Sequence, residues 1–422
     1  MTHSDACGPL VVAVRGAGRE RGEPRAGLLL VLALLTAVGP LAIDMYVPGF
    51  PAMSASLHTG GSAVQLTLTA FLAGVVVGQL VIGPLSDGVG RRRPLIAGCV
   101  GFALTALACA LAPGIAALLV ARFVQGVAGA AGMVLARAVI LDRFRGHDVA
   151  RYIALLGQIM SVAPVVAPII GSGITSAWSW RAVFLTLGVI GVLLAAGVIV
   201  KVRETLPPER RHPGGLGGTC RAMGRLARHR AFLGNTLVLG FSSAALFAYI
   251  GGSSFVFERV HHLSAGMYAL VFAVNSAGQL AAGAVFSRLA RRIQMNTLLT
   301  VSVAVATAGA LAQVVITAVA GENLAASWVT QFVIMSAFGA VVPAALTLGQ
   351  NLGRTSPGAA SALLGGLQFA LGALASSLVG IFGEAGSLPM ASIMLGALIL
   401  GAVALVVLVR PWQFQGEVTA AR

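Results

Sequence analysis

Lysine is almost absent from this chain: Lys201 is the only one in 422 residues. A G-x-x-x-x-G-K-[ST] phosphate cradle is therefore missing, which excludes a pump driven directly by a P-loop ATPase. Charge of either sign is scarce, at 10% of residues, against roughly 25% in soluble domains. Such a chain cannot cover its surface in water. The four cysteines (Cys7, Cys99, Cys109, Cys220) show no C-x-x-C spacing; free thiols are expected, not a disulfide framework or a metal site. None of the seven histidines falls in an apolar run, so a histidine proton relay through a membrane is not expected. Basic residues interleaved with aromatics on a soluble face are also missing, which argues against nucleic acid as a partner. Paired catalytic groups within the apolar runs are lacking too, so the chain is not read as an enzyme. No bound cofactor is expected.

What is present is apolar. Hydrophobic residues make up 57% of the chain, mean hydropathy is +0.92, and there are 54 glycines. Small residues let helices approach closely in lipid. A spanning helix needs about 20 mainly apolar residues, and twelve such segments can be laid down. They fall near 27–47, 63–85, 94–112, 114–137, 152–174 and 180–200, then 231–252, 265–287, 295–318, 325–349, 358–382 and 387–409. With both termini cytoplasmic, the outer loops hold only Arg181 and Arg259 of the 28 Lys and Arg residues. That asymmetry satisfies the positive-inside rule and explains the +15 net charge.

Residues 1–26 read as a basic cytoplasmic leader and 410–422 as a cytoplasmic tail. A six-helix half over 27–200 is separated from a second over 231–409 by a polar linker, 201–230. Its prolines and the Gly214–Gly218 cluster make one continuous helix a poor fit. Gly283, Arg291 and Arg292 repeat the spacing of Gly83, Arg91 and Arg92, while Ser287 stands where Asp87 does. Ala154-Leu155-Leu156-Gly157 is echoed by Ala362-Leu363-Leu364-Gly365. The expected fold is an all-α membrane protein of twelve transmembrane helices in two six-helix halves related by a pseudo-two-fold axis.

Among thirteen acids, only Asp44 lies clearly within a predicted span. A carboxylate there costs a few kcal/mol or more unless paired or protonated, which marks it as a functional candidate. Arg122 is the other charge in a predicted span, about 12 Å deep at 1.5 Å per residue. Its depth is compatible with an ion pair or water-bridged contact to Asp44; the alternative is an arginine holding loop carbonyls. Arg122, Gln125 and Gly126 share a helical face. Tyr46, Gln125, Gln158, Asn235, Tyr249, Phe255 and Gln368 are the candidate substrate-cavity residues. At the inner surface Gly83, Asp87, Gly90, Arg91, Arg92, Arg137 and Asp142 form a candidate conformational switch, an interlocking charge cluster that holds one of two rocking states. Pro164, Pro168 and Gly171 suit a curved fifth helix acting as a hinge between the halves.

The pattern G-x-L-x-D-x-x-G-R-R over Gly83–Arg92 resembles the loop joining the second and third helices of major facilitator superfamily transporters. Ile43-Asp44-Met45-Tyr46-Val47-Pro48, Arg122-Phe123-Val124-Gln125-Gly126 and Arg137-Ala138-Val139-Ile140-Leu141-Asp142 resemble the Bcr/CflA family of bacterial drug:proton antiporters. So do Ala163–Pro168 and Ala360–Gly365. The resemblance runs from about 27 to 410. It implies a multi-pass protein of the bacterial cytoplasmic (inner) membrane that exchanges small amphipathic drugs (bicyclomycin, chloramphenicol-type compounds, sulfonamides) for protons. By it, Asp44 is the proton-coupled acid and Arg122 its helix-four partner. The partners expected are drugs, protons and the bilayer, with a monomer sufficient. The alternative is a dedicated exporter or facilitator of one endogenous metabolite on the same fold.

Overall fold

The computed structural model describes residues 25–144, 147–211, 216–382 and 386–417. Most of the leader with Cys7, the linker residues Pro213 and Gly214, the Cys220 side chain and the last five residues lie outside the described residues. Among the described residues there is no strand. Twelve helices are long and apolar enough to cross a membrane. The first half comprises α1 (Arg25–Asp44), α2 (Phe50–Ser56), α3 (Gly61–Val89), α4 (Arg92–Ala110), α5 (Ile115–Arg143), α6 (His147–Ala177) and α7 (Trp180–Lys201). A linker helix α8 (Leu216–Ala227) leads to α9 (Arg230–Ser254), α10 (Ala265–Leu289), α11 (Met295–Ala320), α12 (Leu324–Leu352), α13 (Pro357–Phe382) and α14 (Leu388–Ala404). All twelve expected spans are found. Several helices outrun the hydropathy windows, because hydropathy detects only the segment crossing about 30 Å of hydrocarbon.

The first span is not one helix. α1 ends at Asp44, a turn follows, then a 3₁₀ segment Val47–Gly49, then α2. Pro48 and Pro51 have no N–H to offer residues four back, so the hydrogen-bond ladder cannot pass through. The seventh span also changes form: α9 gives way at Ser254 to a π-turn, Phe255–Val260. Both spans turn off in left-handed backbone at a histidine, His58 (φ 47°) and His262 (φ 55°).

Glycine sets the closest helix crossings. A β-carbon on Gly74 of α3 would overlap the Phe123 carbonyl of α5, and one on Gly126 of α5 would overlap the Phe71 carbonyl of α3. The second half repeats this device between α10 and α12, where Gly339 lies against the Gln279 carbonyl. The halves meet along two seams, α3 with α13 and α6 with α10. Away from the seams, large apolar side chains such as Val319, Ile381 and Leu193 are exposed, as expected of surfaces facing acyl chains. Arg91, Arg92, Arg143, Arg203, Arg211, Arg291, Arg292 and Arg354 gather in turns and helix ends at one end of the bundle, which we term the basic end.

Candidate functional site

At the end opposite the basic one, the broken first and seventh spans face each other. The α2 segment packs against the π-turn, with the Phe50 and Phe255 ring centroids 6.0 Å apart. Tyr46 stacks edge-on against Phe50 at 5.0 Å. This aromatic plug closes the seam between the halves. Beneath it, Asp44 is 3% exposed and its Oδ1 has no hydrogen-bond partner. Asp44 is within electrostatic reach of Tyr249 and Tyr268 on the second half.

Arg122 is fully buried, and it is not paired with Asp44. Of the two contacts expected, an ion pair or a water bridge, the ion pair is not formed: no salt bridge within 4.0 Å joins them. The guanidinium instead donates to Gln125 Oε1 at 2.7 Å and to the Ala42 carbonyl at 3.1 Å. It stands over the rings of Tyr46 at 4.2 Å, Phe71 at 4.3 Å and Phe184 at 5.6 Å. Ala42 lies in the last turn of α1, whose carbonyls lack intrahelical donors. A cation there also suits the negative end of the helix dipole. Arg122 thus closes the end of α1 from within an aromatic cage, and the carbonyl-holding alternative describes it better than the ion pair.

Of the expected cavity residues, Tyr46, Gln125, Tyr249 and Phe255 come together around this point. Tyr46 hydroxyl lies 3.3 Å from Thr67 Oγ1, and Asn275 Nδ2 donates to the Tyr249 hydroxyl at 2.9 Å. Asn235 does not join them. It lies in the second turn of α9, towards the basic end, and its amide donates to the Ala231 carbonyl of its own helix at 2.9 Å. Gln158 is exposed and Gln368 half-buried, both without a hydrogen bond to the group. Gly171 belongs beside the site by packing: a β-carbon there would overlap the Met45 carbonyl. α6 runs unbroken through Pro164 and Pro168.

Orphaned polar atoms occur in this group: Asp44 Oδ1, Arg122 Nε, Gln125 Nε2 and Asn275 Oδ1 are all buried without partners. Buried polar atoms are nearly always satisfied, which makes this group a candidate for contact with water or a polar ligand group.

The sequence reading missed a second acid within a span. Glu258 falls on the π-turn, inside the helix Arg230–Val260, and accepts from Ser254 Oγ at 2.9 Å. Its neighbour Ser253 meets the Tyr268 hydroxyl at 2.8 Å. Ending the seventh span at 252 had placed Glu258 and Arg259 in an outer loop; the apolar continuation Phe255-Val256-Phe257 was the available signal.

At the basic end, Arg91 joins Asp87 at 2.6 Å and Asp142 at 3.2 Å. Gly90 turns the chain at φ +95°, a conformation that favours glycine. Two expected members behave otherwise. Arg92 donates its side chain to the Ile199 carbonyl at 2.8 Å, and Arg137 reaches Met160 Sδ at 3.7 Å on α6. The unforeseen member is Glu204, just past α7. Its carboxylate accepts from the backbone of Arg91 at 2.8 Å and Arg92 at 3.2 Å, and from Thr205 and Leu206. Partial burial pushes the Glu204 carboxyl up, but these four N–H donors outweigh it and hold the group below the usual glutamate range. Thr205 Oγ1 also donates to Asp142 at 3.2 Å. Gly83 lies in α3 one turn before Asp87, in loose contact with Val134 of α5. The whole cluster binds α3, α4, α5 and the start of the linker into one body within the first half.

Twelve spans in two repeated halves, with interrupted helices meeting at a buried acid, are the architecture of a secondary transporter. The chain belongs to the major facilitator superfamily, whose family model matches residues 32–377. It is 37% identical over 385 residues to the MFS-type transporter YdgK of Bacillus subtilis, covering 91% of this chain and 95% of that one. The resemblance to the Bcr/CflA family is borne out: a bicyclomycin resistance protein homolog of Haemophilus influenzae is 28% identical over 366 residues, covering 83% of this chain and 88% of that one. In fold, the chain is similar to a bacterial homolog of the human lysosomal transporter Spinster in an inward-facing, occupied conformation. That match has a TM-score of 0.67 at 17% identity over 93% of this chain and 97% of the other.

Proposed function

We propose that this chain is a proton-coupled exporter of small amphipathic drugs, working by alternating access as a monomer in a bacterial cytoplasmic membrane. Both termini and the basic end face the cytoplasm. The observation that carries this reading is Asp44, an acid at a break in a spanning helix, sealed under an aromatic plug with no cation paired to it. An isolated charge in that position is costly, so the sealed arrangement favours the proton-loaded carboxyl. Parting of the plug admits water to the acid from the outer side. Each proton moving inward down 100 mV supplies about 2.3 kcal/mol, available to expel a ligand from the pathway.

The residues divide the work. Arg122, fixed by its cage and by the end of α1, places a cation near Asp44 without neutralising it. Once the plug parts, Tyr46, Tyr249 and Phe255 would offer flat apolar rings, the two tyrosines with hydroxyl edges, which suits many amphipathic shapes. The Haemophilus relative's name associates that protein with resistance to bicyclomycin, and an aromatic surface of this kind, uncovered when the plug parts, fits such a role.

The test is proton flux in everted, energised vesicles challenged with cationic, neutral and anionic antibiotics, beside Asp44→Asn. Several unrelated drugs should dissipate the inside-acid gradient with the wild type and none with the variant. Equal dissipation in both removes Asp44 as the proton carrier. Silence from every drug, with the protein inserted, points to a dedicated metabolite transporter.

A further inference from the structure

A cavity of about 280 Å³ opens at the basic end, outside the proposed drug pathway. It is bounded by Val76 and Leu80 of α3, by Phe232 and Leu233 of α9, by Gly366 and Ala370 of α13, and by the linker helix α8 through Met223 and Ala227. Both halves and the linker therefore contribute walls. Its lining is apolar, and apolar cavities stay dry until an apolar group fills them.

The cavity faces the bilayer. Leu363 and Ala370 on α13 continue at helical spacing into Leu374 and Ile381, which are 56% and 71% exposed. On α3, Val77 and Val81 beside the lining residues are exposed as well. Long apolar side chains left uncovered along a spanning helix are lipid-facing. The occupant must then be apolar and must come from the membrane.

The roof supplies the other half of the recognition. α8 turns Met223, Leu226 and Ala227 towards the protein, while Arg221 and Arg225 share an exposed face at i, i+4 spacing and Arg228, exposed too, follows in the turn just past the helix. None of these three arginines is paired with an acid among the described residues. An amphipathic helix with a basic outer face lies along the membrane surface and attracts anionic headgroups.

We propose that the seam cavity beneath α8 is a binding site for one anionic phospholipid, with an acyl chain between α3, α9 and α13 and its phosphate on Arg221, Arg225 and Arg228. The chain bridges the two halves at the end where they part during transport. Lipid in this place couples the rocking of the halves to the composition of the leaflet. The site does not depend on what the protein carries or on proton coupling.

The test is native mass spectrometry of delipidated full-length protein, re-exposed to phosphatidylglycerol or to phosphatidylcholine with identical acyl chains. Wild type should retain one phosphatidylglycerol at least tenfold better than phosphatidylcholine, in line with a gain of roughly fivefold per arginine near an anionic surface. The triple change Arg221→Gln, Arg225→Gln, Arg228→Gln should erase that preference. A β-carbon at Gly366 meets nothing within 4 Å, so Gly366→Phe fills the cavity and should abolish retention of either lipid. Ala370→Phe, one turn further on the same face, serves the same purpose if Gly366→Phe is not recovered folded. Equal retention of the two lipids by wild type, or undiminished retention with the cavity filled, overturns the proposal.

Discussion

The two halves share a scaffold and differ in charge. Each closes its tightest crossing with glycine against a carbonyl, Gly126 on Phe71 and Gly339 on Gln279. Each interrupts its first span near a left-handed histidine. About two turns into α5 stands Arg122; at the corresponding place in α12 stands Gln331, whose amide donates to Gln313 on α11 at 2.8 Å. Asp44 likewise faces neutral groups across the seam, the Tyr249–Asn275 pair. The repeat conserves backbone geometry where packing demands it. It has placed the deepest ionic groups, Asp44 and Arg122, in one half and left amides and phenols in the other. Under the proposed function, the first half carries the ion and the second supplies the surface against which it is sealed.

Matched substitutions in the two halves test this division. The largest effect should be common to both halves: Gly126→Val and Gly339→Val each force a side chain into a backbone carbonyl. Each should cost more than about 4 kcal/mol, seen as loss of monodisperse protein on size-exclusion chromatography. Folding of one but not the other would show that the halves do not share this dependence. Next, Arg122→Ala removes a caged cation and two hydrogen bonds, and should lower stability by about 2–4 kcal/mol while ending transport. Arg122→Lys keeps the charge but not the planar fork, and should recover less than half of the transport rate. Its mirror, Gln331→Leu, strands the Gln313 acceptor and should cost about 1–3 kcal/mol with transport retained. Equal damage to coupling from both sites would end the division of labour argued above.

The smallest effect concerns Glu204. Its carboxyl is held below the ordinary glutamate range in the folded state. A depressed acid contributes stability that is full above its unfolded pKa and is lost as pH falls through the folded one. Limited proteolysis of the linker should therefore accelerate only below about pH 4 in wild type. Glu204→Gln, unable to hold its four N–H donors as an anion, should be cut faster at neutral pH. Identical cleavage of both at pH 7 would show that the cap does not fasten the linker.

Hydropathy and arginine placement revealed the twelve spans because burial in lipid leaves little freedom of composition. Asp44 and Arg122 stood out for the same reason, as isolated charges in apolar runs. Their relation was not legible. The cage around Arg122 draws Tyr46 from the turn after α1, Phe71 from α3 and Phe184 from α7, and no local spacing announces it. The aromatic rings and the Ala42 carbonyl satisfy the cation well enough that Asp44 is left alone. Glu204 was hidden for another reason: a polar, proline-rich stretch reads as a linker, while four backbone donors turn its first acid into a helix cap. Glu258 was lost to averaging, since one acid and one arginine end a hydropathy window that the helix itself ignores.

The glycine crossings have a mechanical consequence. Where Gly74 and Gly126 cross, no side chain separates α3 from α5, so the two backbones touch there and resist sliding past one another. Each half then moves as a stiff beam. Helix α3, with 29 residues, is about 43 Å long at 1.5 Å per residue. Pivoting at one end, a tilt of about 10° over that length displaces the other by roughly 7 Å. Under the proposed function, a rearrangement at Asp44 small enough to be made by a proton and a few waters is geared up in this way to a gap of several ångströms at the far end.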